Sequence, residues 1–312
     1  MKERECIAII AGISGEVIVK ELHKLGYKTF VIGGRKEDSG MNISDKSFVA
    51  DLREKELIYN ELVQNKVDKV ILGTGHVLAF QLIDFLSKKG IKVSVNPKNS
   101  LIAKDKFAYK EELVKNGILT PKYMEIDLDD KYDIQEILDK VSCPCVVKST
   151  IDTTYPKKAN TKEELEKHIE TIRKTNSPII IEQFIEGIDT TVPVYSNPKE
   201  TKAILVSYYS KAAACKLEGF GNDLIKGILS KEIEEKLLRF SEDVIRKTHI
   251  LGMARLDIIV DREEKFYVLE CNSVIVTGVH PNQIEYGKEF LEREHVNFAE
   301  YTVKNALEIF NN

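Results

Sequence analysis

The pattern that most constrains the fold is a pair of apolar runs, residues 255–260 and 266–273, joined by a short polar segment. This pattern predicts a β-hairpin. Asp257 would lie opposite Glu270 and Asn272, and these last two residues, being two apart, share one face of their strand. Two carboxylates and an amide on one face suit Mg²⁺ or Mn²⁺, with phosphate oxygens and water in the remaining positions. An exposed hairpin with a solvated polar face would give the same spacing.

The composition is that of a globular chain with room for two or three packed units, at 312 residues with 43% apolar and 31% charged residues. The net charge of −4 argues against a nucleic-acid-binding surface and a basic membrane-binding face. No apolar run has the length of a membrane span, and the N-terminus lacks a signal-peptide pattern. The five cysteines are an odd number, which indicates reduced thiols. We therefore predict a cytoplasmic protein with no nucleic-acid partner and no membrane partner.

Strands and helices alternate in the N-terminal third, which predicts an α/β unit with a parallel sheet. Gly12 and Gly15 follow the first strand and form half of a dinucleotide-binding motif, but the complete G-x-G-x-x-G is missing. A tight strand-to-helix turn explains these glycines as well. Ser14, Glu16 and His76 lie where strands end, and ligands collect at the carboxyl ends of parallel strands. They are therefore candidate substrate contacts.

Four features follow one another in the rest of the chain. A helix begins near Lys106, an apolar strand ends at Lys148, and another apolar strand runs into residues 182–189, Glu-Gln-Phe-Ile-Glu-Gly-Ile-Asp. The hairpin with its oxygen ligands comes last. This order resembles the ATP-grasp superfamily, in particular its D-alanine–D-alanine ligase-like and carbamoyl-phosphate-synthetase-like branches. The hairpin and residues 182–189 carry the resemblance, because lysines alone are typical of any surface.

The resemblance implies an α/β fold in which an N-terminal parallel α/β domain, the pre-ATP-grasp domain, precedes a two-part α+β ATP-grasp fold. The implied divisions are residues 1–97 for the N-terminal substrate-side domain, 98–185 for the ATP-grasp lid and 186–312 for the C-terminal part with the metal site. The implied cofactors are ATP and Mg²⁺ or Mn²⁺.

The resemblance also implies roles for individual residues. Two lysines would contact phosphates, the segment after the second apolar strand would contact adenine, and an acid one methylene shorter than the usual glutamate would bind ribose. In that order these nucleotide-binding residues are Lys106, Lys148, Glu182, Phe184, Ile185 and Asp189. The implied metal ligands are Asp257, Glu270 and Asn272. Arg255 would stabilise negative charge on the acyl group, and Lys148 would act with it as a positioned charge.

The chain departs from the family in the loop after Lys148, where residues 149–158 contain no glycine. Glycines let backbone N–H groups approach a phosphate closely. Ser149 and Thr150 would supply hydroxyl groups instead. Further candidates lie outside this loop: either Lys211 or Lys216 for phosphate, and Thr277, Gly278 and His280 for substrate.

The resemblance implies an ATP-dependent, ADP-forming carboxylate–amine ligase that makes an amide or peptide-like bond through an acyl phosphate. Its partners would be a small-molecule carboxylate and amine, such as amino acids, and a homodimer is left open. Three alternatives stay open as well. One is an ATP-dependent carboxylase or carbamoylating enzyme, the second is a catalytically silent protein that binds a nucleotide or amino acid, and the third is a nicotinamide-dependent enzyme.

Overall fold

The computed structural model describes residues 5–150, 156–209, 224–275 and 292–312. Within these ranges the strands form three sheets that follow one another along the chain. None of the helices described has both the length and the apolar character that crossing a bilayer requires. The division into domains at residues 97 and 185 stays a prediction.

The first sheet is parallel, and helices cover both of its faces. Its strands are β1 (Cys6–Ile10), β2 (Lys28–Gly33), β3 (Lys46–Val49), β4 (Lys69–Leu72) and β5 (Lys92–Val93), in the order β3-β2-β1-β4-β5. The helices of this region are α1 (Gly15–Lys24), α2 (Lys55–Gln64), α3 (Val77–Lys88) and α4 (Pro97–Lys104). Ile9 and Ile10 belong to two different core clusters, because successive side chains of β1 point to opposite, equally buried faces.

The second sheet is antiparallel and lies after helix α5 (Lys106–Lys115). Its strands are β6 (Tyr123–Ile126), β7 (Cys145–Ser149), β8 (Lys157–Ala159) and β9 (Ile179–Gln183), in the order β6-β9-β7-β8. Helices α6 (Ile134–Val141) and α7 (Lys162–Arg173) pack on one face. Ile137 and Leu165 from these helices share a buried cluster with Val147 and Ile181 from the strands. The alternate strand residues therefore point to the opposite face.

The third sheet is also antiparallel. Its strands are β10 (Gly187–Ser196), β11 (Thr201–Ala203), β12 (Ser207–Tyr209), β13 (Leu224–Ile225), β14 (Gly252–Asp261) and β15 (Phe266–Asn272). Their order is β13-β12-β10-β14-β15, and β11 pairs with the end of β10. Helix α8 (Lys231–Lys247) covers one face, where Leu237 and Val244 pack against Val192 and Leu256. The other face carries Arg255 and the alternate residues of β14.

The last helix, α9 (Phe298–Phe310), returns to the first sheet. Val303, Ala306 and Phe310 join α1 in covering Ile7 and Ile9 of β1. The Lys92 ammonium group donates to the carbonyl of Phe310, which satisfies a carbonyl at the end of the helix. The C-terminal end of the chain therefore completes the core of the N-terminal sheet.

Candidate active site

Two strands of the second sheet bring a lysine and a glutamate together in the interior. Lys148 on β7 and Glu182 on β9 point away from the face covered by α6 and α7, because Val147 and Ile181 occupy that face. The Nζ atom of Lys148 lies 2.8 Å from Oε1 of Glu182. Only 8% of the Lys148 side chain and 4% of the Glu182 side chain are exposed. A buried ion pair of this length fixes the direction of both side chains.

A second buried lysine, Lys110 on α5, approaches the same carboxylate. Its Nζ atom lies 3.3 Å from Oε1 of Glu182, and its side chain is fully buried. Burial lowers the pKa of Lys110 to about 8, although the charge of Glu182 acts in the opposite direction. Burial by itself would raise the pKa of Glu182, but Lys110 and Lys148 outweigh it and hold that pKa below its ordinary value. Two cations share one carboxylate, so an anion would be attracted here.

Lys106 begins α5 and lies beside the end of β7. Asp105 caps the helix by accepting from the N–H groups of Phe107 and Ala108, at 2.9 and 3.1 Å. The backbone N–H of Lys106 donates to the carbonyl of Thr150 at 3.1 Å. Burial lowers the pKa of the Lys106 ammonium group, which also lies within electrostatic range of Glu270 and Lys148. The helix start therefore brings a third lysine between the second sheet and the hairpin.

An irregularity in β15 determines the direction of Glu270. Ile258 on β14 pairs with Val268. Asp257, which precedes Ile258 on β14, pairs with Glu270. Leu269 is therefore an extra, unpaired residue in β15. In a regular strand Glu270 would share the core face of Val268, since the two are two residues apart. The bulge reverses this relation, and Glu270 stands opposite Asp257 while Val268 stays in the core.

The hairpin face gathers opposite charges. Nη2 of Arg255 lies 2.9 Å from Oδ2 of Asp257 and 3.8 Å from Oε1 of Glu270. The amide of Asn272 donates to Oε1 of Glu270 at 3.4 Å. The side chain of Asp257 is 1% exposed and that of Glu270 is 31% exposed. The Asp257 carboxylate is therefore buried, and the Glu270 carboxylate beside it is partly exposed.

The oxygen atoms of this face fit a magnesium ion that is bound together with a phosphate. Asp257 and Glu270 offer carboxylates and Asn272 offers an amide oxygen, all of them hard donors. In the described ranges no group of three or more His, Cys, Asp or Glu side chains is arranged to hold a metal ion. Mg²⁺ usually takes one or two carboxylates and completes its shell with substrate phosphates and water. The predicted set has this composition, and its role as metal ligands stays a prediction.

Strand β10 adds Asp189 to the same face. Thr191 pairs with Asp257 across the sheet, and Asp189 lies two residues before Thr191. Both β10 side chains therefore point to the face of the hairpin carboxylates. Asp189 is half-buried there. The position agrees with the predicted ribose contact, which stays a prediction.

The connection from β9 to β10 contains Phe184 and Ile185, both half-buried. The N–H of Phe184 donates to the carbonyl of Pro144 at 3.0 Å, so it is used within the second sheet. The ammonium group of Lys158 lies 3.7 Å from the centroid of the Phe184 ring, which is a cation–π contact. The segment therefore presents an apolar surface beside Glu182, and the adenine contact predicted for it stays a prediction.

Ser149 and Thr150 occupy different positions from Lys148. The Ser149 hydroxyl lies 2.6 Å from Oγ of Ser177, on the face of β7 that α6 and α7 cover. This hydroxyl and the Lys148 side chain point to opposite faces, because alternate strand residues point in opposite directions. The contact predicted between Ser149 and a phosphate stays a prediction. Thr150 is buried, and its carbonyl receives the N–H of Lys106. Thr150 therefore adjoins the lysines, whereas the Ser149 side chain does not.

The turn after β1 is closed by the chain itself. The N–H of Glu16 donates to Oγ of Ser39 at 2.9 Å, and a Cβ atom on Gly15 would lie 1.9 Å from the Ser39 carbonyl. Ser39 thus occupies the start of α1, where a dinucleotide pyrophosphate would bind. Ser14 is buried, and the Glu16 carboxylate pairs with Lys20. The nicotinamide alternative does not fit this arrangement. The substrate contacts predicted for Ser14 and Glu16 stay predictions, which the closed turn does not favour.

His76 lies at the start of α3, where its ring nitrogen Nδ1 accepts from the N–H of Leu78 at 3.2 Å. The preceding residue, Gly75, faces the end of the hairpin, since a Cβ there would lie 4.0 Å from the carbonyl of Val274. His76 is exposed and stays a candidate substrate contact. Two other sets of predicted residues lie outside the described ranges: the substrate contacts Thr277, Gly278 and His280, and the alternative phosphate contacts Lys211 and Lys216.

Sequence reasoning missed Lys110 and Thr120. Lys110 follows Lys106 by four residues, so the two lysines share a helix face, and this spacing was an available signal. Thr120 gives no comparable signal, because its role depends on contacts with Lys110 and with the distant residue Val268.

Comparisons with known proteins show which family and which fold this chain resembles. A curated relative, a D-alanine–D-alanine ligase from Carboxydothermus hydrogenoformans, is 28% identical over 190 residues, which is 56% of this chain and 60% of the relative. The match thus spans less than two thirds of that relative's length. Among solved structures, an N5-carboxyaminoimidazole ribonucleotide synthetase from Thermotoga maritima has a TM-score of 0.77 at 19% identity, covering 98% of this chain and 76% of the other. A D-alanine–D-alanine ligase from Bacillus anthracis complexed with ATP has a TM-score of 0.72 at 21% identity and covers 99% of each chain.

The likeness to these two structures confirms the ATP-grasp fold predicted from the sequence. The family model described as D-ala D-ala ligase C-terminus matches residues 113–275, which is more than half of the chain and contains β7, β9 and the whole hairpin. The chain therefore belongs to the D-ala D-ala ligase C-terminus family.

Proposed function

We propose that this protein is an ATP-dependent carboxylate–amine ligase that releases ADP and forms an amide or peptide-like bond. The observation that carries the proposal is the juxtaposition of buried lysines with the carboxylates of the hairpin. Glu270 lies within electrostatic range of Lys106 and Lys110, and Lys148 joins them through Glu182. Cations beside hard oxygen donors suit the phosphates of a metal–nucleotide complex.

The reaction has two steps. An oxygen of the substrate carboxylate bonds to the γ-phosphorus of ATP while the bond to the bridging oxygen of ADP breaks, which gives an acyl phosphate. The amine nitrogen then bonds to the acyl carbon, phosphate leaves, and the amine releases a proton to solvent. Amino acids are the proposed substrates, supported by the D-alanine–D-alanine ligase relative.

The residues of this chain act by position and charge. Lys106 and Lys148 hold phosphate oxygens, and the burial of Lys148 strengthens that attraction. Arg255 lies beside both carboxylates and offsets negative charge on the acyl group. A magnesium ion, when held by Asp257, Glu270 and Asn272, supplies Lewis-acid charge neutralisation of the phosphates.

The nucleoside end of the substrate would contact the connection from β9 to β10. Phe184 and Ile185 offer half-buried apolar surface for a purine, and Asp189 points to the face of the carboxylates. We also propose a cytoplasmic location, supported by the free thiols of Cys6, Cys143, Cys145 and Cys271.

ATP-dependent carboxylation is the second candidate. It is favoured by the fold likeness to an N5-carboxyaminoimidazole ribonucleotide synthetase, whose match covers 98% of this chain. In that case bicarbonate would be the carboxylate that attacks ATP. The catalytically silent alternative is favoured by the absence of glycine in residues 149–158.

Phosphate release from ATP and Mg²⁺ tests these candidates. Amino acids are offered singly and in all pairs, with bicarbonate as a separate arm, and products are identified by mass spectrometry. We expect phosphate in stoichiometric amounts with an amide product, lost in Lys148→Met and kept in the surface control Lys115→Met. Release with bicarbonate and an amine alone would favour carboxylation. A rise in melting temperature with ATP but no turnover would favour the silent protein, and a rise with NADPH alone would contradict the proposal.

A further inference from the structure

Lys110 is the meeting point of two chains of contacts. In the first, its ammonium group and that of Lys148 both reach Oε1 of Glu182, at 3.3 and 2.8 Å. The carboxylate is therefore held from two sides. Among the described residues, loss of Lys110 would leave Lys148 as the one cation in contact with Glu182. Lys110 would then no longer help to fix the direction of Lys148 toward a phosphate.

The second chain leads to the bulge in β15. Lys110 Nζ donates to Oγ1 of Thr120 at 2.7 Å, and this hydroxyl donates to the carbonyl of Val268 at 2.8 Å. The N–H of Val268 in turn donates to the carbonyl of Leu119 at 2.9 Å. Residues 119–120 therefore hold both backbone groups of Val268. Val268 is the last regularly paired residue before the extra residue that turns Glu270 toward Asp257.

The direction of these hydrogen bonds follows from the chemistry of the hydroxyl. Thr120 has a single O–H hydrogen, which goes to the carbonyl of Val268, so its oxygen must accept from Lys110. The Lys110 ammonium group can donate one hydrogen bond to Thr120 and another to Glu182 at the same time, because it has three N–H donors. An apolar side chain at this buried position would pack without the cost of desolvating a charge, but it would make neither contact.

We propose that Lys110 is a positioning residue that joins the phosphate-binding lysine to the metal-side carboxylate. It acts on Lys148 through Glu182, and on Glu270 through Thr120 and Val268. The inference rests on the proposed function and deepens it. It states that one buried cation fixes the nucleotide side and the metal side of the site relative to each other.

The test measures ADP binding by calorimetry, with and without Mg²⁺, and needs no turnover. In Lys110→Met the side chain keeps its volume and loses its charge, and we expect the dissociation constant for ADP to rise at least about 10-fold in both conditions. The matched control is Lys115→Met on the exposed side of the same helix, where the lysine side chain is 77% exposed. This control should bind ADP within two-fold of the wild type.

A substitution at Thr120 breaks the contacts that lead to β15 and leaves the Lys110 side chain itself unchanged. In Thr120→Val we expect ADP affinity without Mg²⁺ to change less than two-fold, and the gain in affinity on adding Mg²⁺ to fall about five-fold. Thr120→Ser keeps the hydroxyl and should restore that gain. In a Glu270→Gln background, Thr120→Val should have no further effect, because the residue through which it acts is already altered.

Three outcomes would overturn the inference. The first is a folded Lys110→Met, judged by circular dichroism, that binds ADP as the wild type does. The second is equal behaviour of Thr120→Val and Thr120→Ser, which remains decisive if Lys110→Met does not fold. The third is an undiminished effect of Thr120→Val in the Glu270→Gln background. A wild-type protein that binds no ADP would instead overturn the proposed function, and this inference with it.

Discussion

The turn after β1 and the charged face between the second and third sheets both carry sequence patterns of nucleotide binding, and the chain uses them differently. At the turn the protein packs against itself. A Cβ atom on Gly12 would lie 2.4 Å from Cβ of Thr74, and one on Gly15 would lie 1.9 Å from the carbonyl of Ser39. At the charged face, Lys148 and Glu182 are held in the interior with an excess of positive charge around them.

The difference shows which pattern is the better guide to a ligand. A glycine permits the close approach of any group, and the protein's own backbone satisfies that requirement as well as a phosphate does. A buried charge is different, because removing it from water costs free energy that partners must offset. The cluster of Lys110, Lys148 and Glu182 keeps one positive charge in excess, which a bound anion would neutralise.

The largest expected effect comes from the charged face. In Glu270→Gln the shape is kept and the anionic ligand is lost, so we expect ADP formation to fall at least about 100-fold with the fold intact. The matched change at the turn is Ser39→Ala, which removes the hydrogen bond to the N–H of Glu16. ADP formation in this variant should stay within two-fold of the wild type. Activity of Glu270→Gln within a few-fold of the wild type, measured alongside circular dichroism, would refute the metal-ligand prediction.

At the turn after β1, we expect substitutions to change the stability of the protein rather than ADP formation. Gly15→Ala places a methyl group against the backbone of Ser39, so we expect the free energy of unfolding to fall by about 1–3 kcal/mol. Gly34→Ala is the control in the neighbouring loop, because the nearest atom to its Cβ is 3.8 Å away. Urea denaturation measures both variants. ADP affinity of the folded Gly15→Ala protein should match the wild type, and a selective loss of affinity would mean that the turn belongs to the nucleotide site.

The sequence predicted the sheet of the N-terminal region and the hairpin, because long alternating or apolar runs carry these elements. It missed β3 and α2 within residues 46–64. Strand β3 lies at the sheet edge with most of its residues exposed, so it lacks the apolar pattern that marks a buried strand. The segment around Ser39, which fills the start of α1, has no periodic pattern either, and its position depends on distant contacts.

The candidate site was predictable in part. Asp257 and Glu270 were expected to face each other, and they do, but through a bulge that spacing does not reveal. The sequence places Val268 and Glu270 two apart, so a regular strand would put a core residue and a site residue on one face. Ser149 was expected beside the phosphates because it follows Lys148, whereas strand alternation turns its hydroxyl to Ser177. Lys110 was missed although it follows Lys106 by four residues, because that spacing puts both lysines on one helix face without showing that the face is buried.

A smaller effect is expected from pH. An anion bound beside Lys110 stabilises its protonated form, whereas in the free protein burial holds its pKa at about 8. ADP affinity should therefore fall as pH rises from 7 to 9, by at most about 10-fold per pH unit for one proton. The charges that act on Lys110 are Glu182, Lys148 and Glu270. Calorimetry at several pH values measures the trend, and Lys110→Met should lack it.

The contribution of Lys110 to the stability of the folded protein should rise with pH, whereas the affinity for ADP falls. The unfolded chain keeps the proton on this lysine up to its ordinary pKa of 10.5, whereas the folded protein releases it near 8. Between these values the unfolded state binds more protons at this site, so this group adds stability to the folded state as pH rises. An ADP affinity that stays constant from pH 7 to 9 would contradict the position of Lys110 beside the bound anion.

The smallest effect is expected at Glu16. Its carboxylate pairs with Lys20 four residues along α1, and both side chains are about half exposed, at 48% and 57%. An exposed pair of this kind contributes little, so Glu16→Gln should change the free energy of unfolding by less than about 0.5 kcal/mol. Lys24→Met, on the exposed face of the same helix, is the control. Because Ser39 closes the turn in front of Glu16, the KM for every amino-acid substrate should also stay within two-fold. A five-fold rise in one KM, without loss of stability, would mean that the substrate does reach the turn after β1, and the contrast between the two regions would no longer hold.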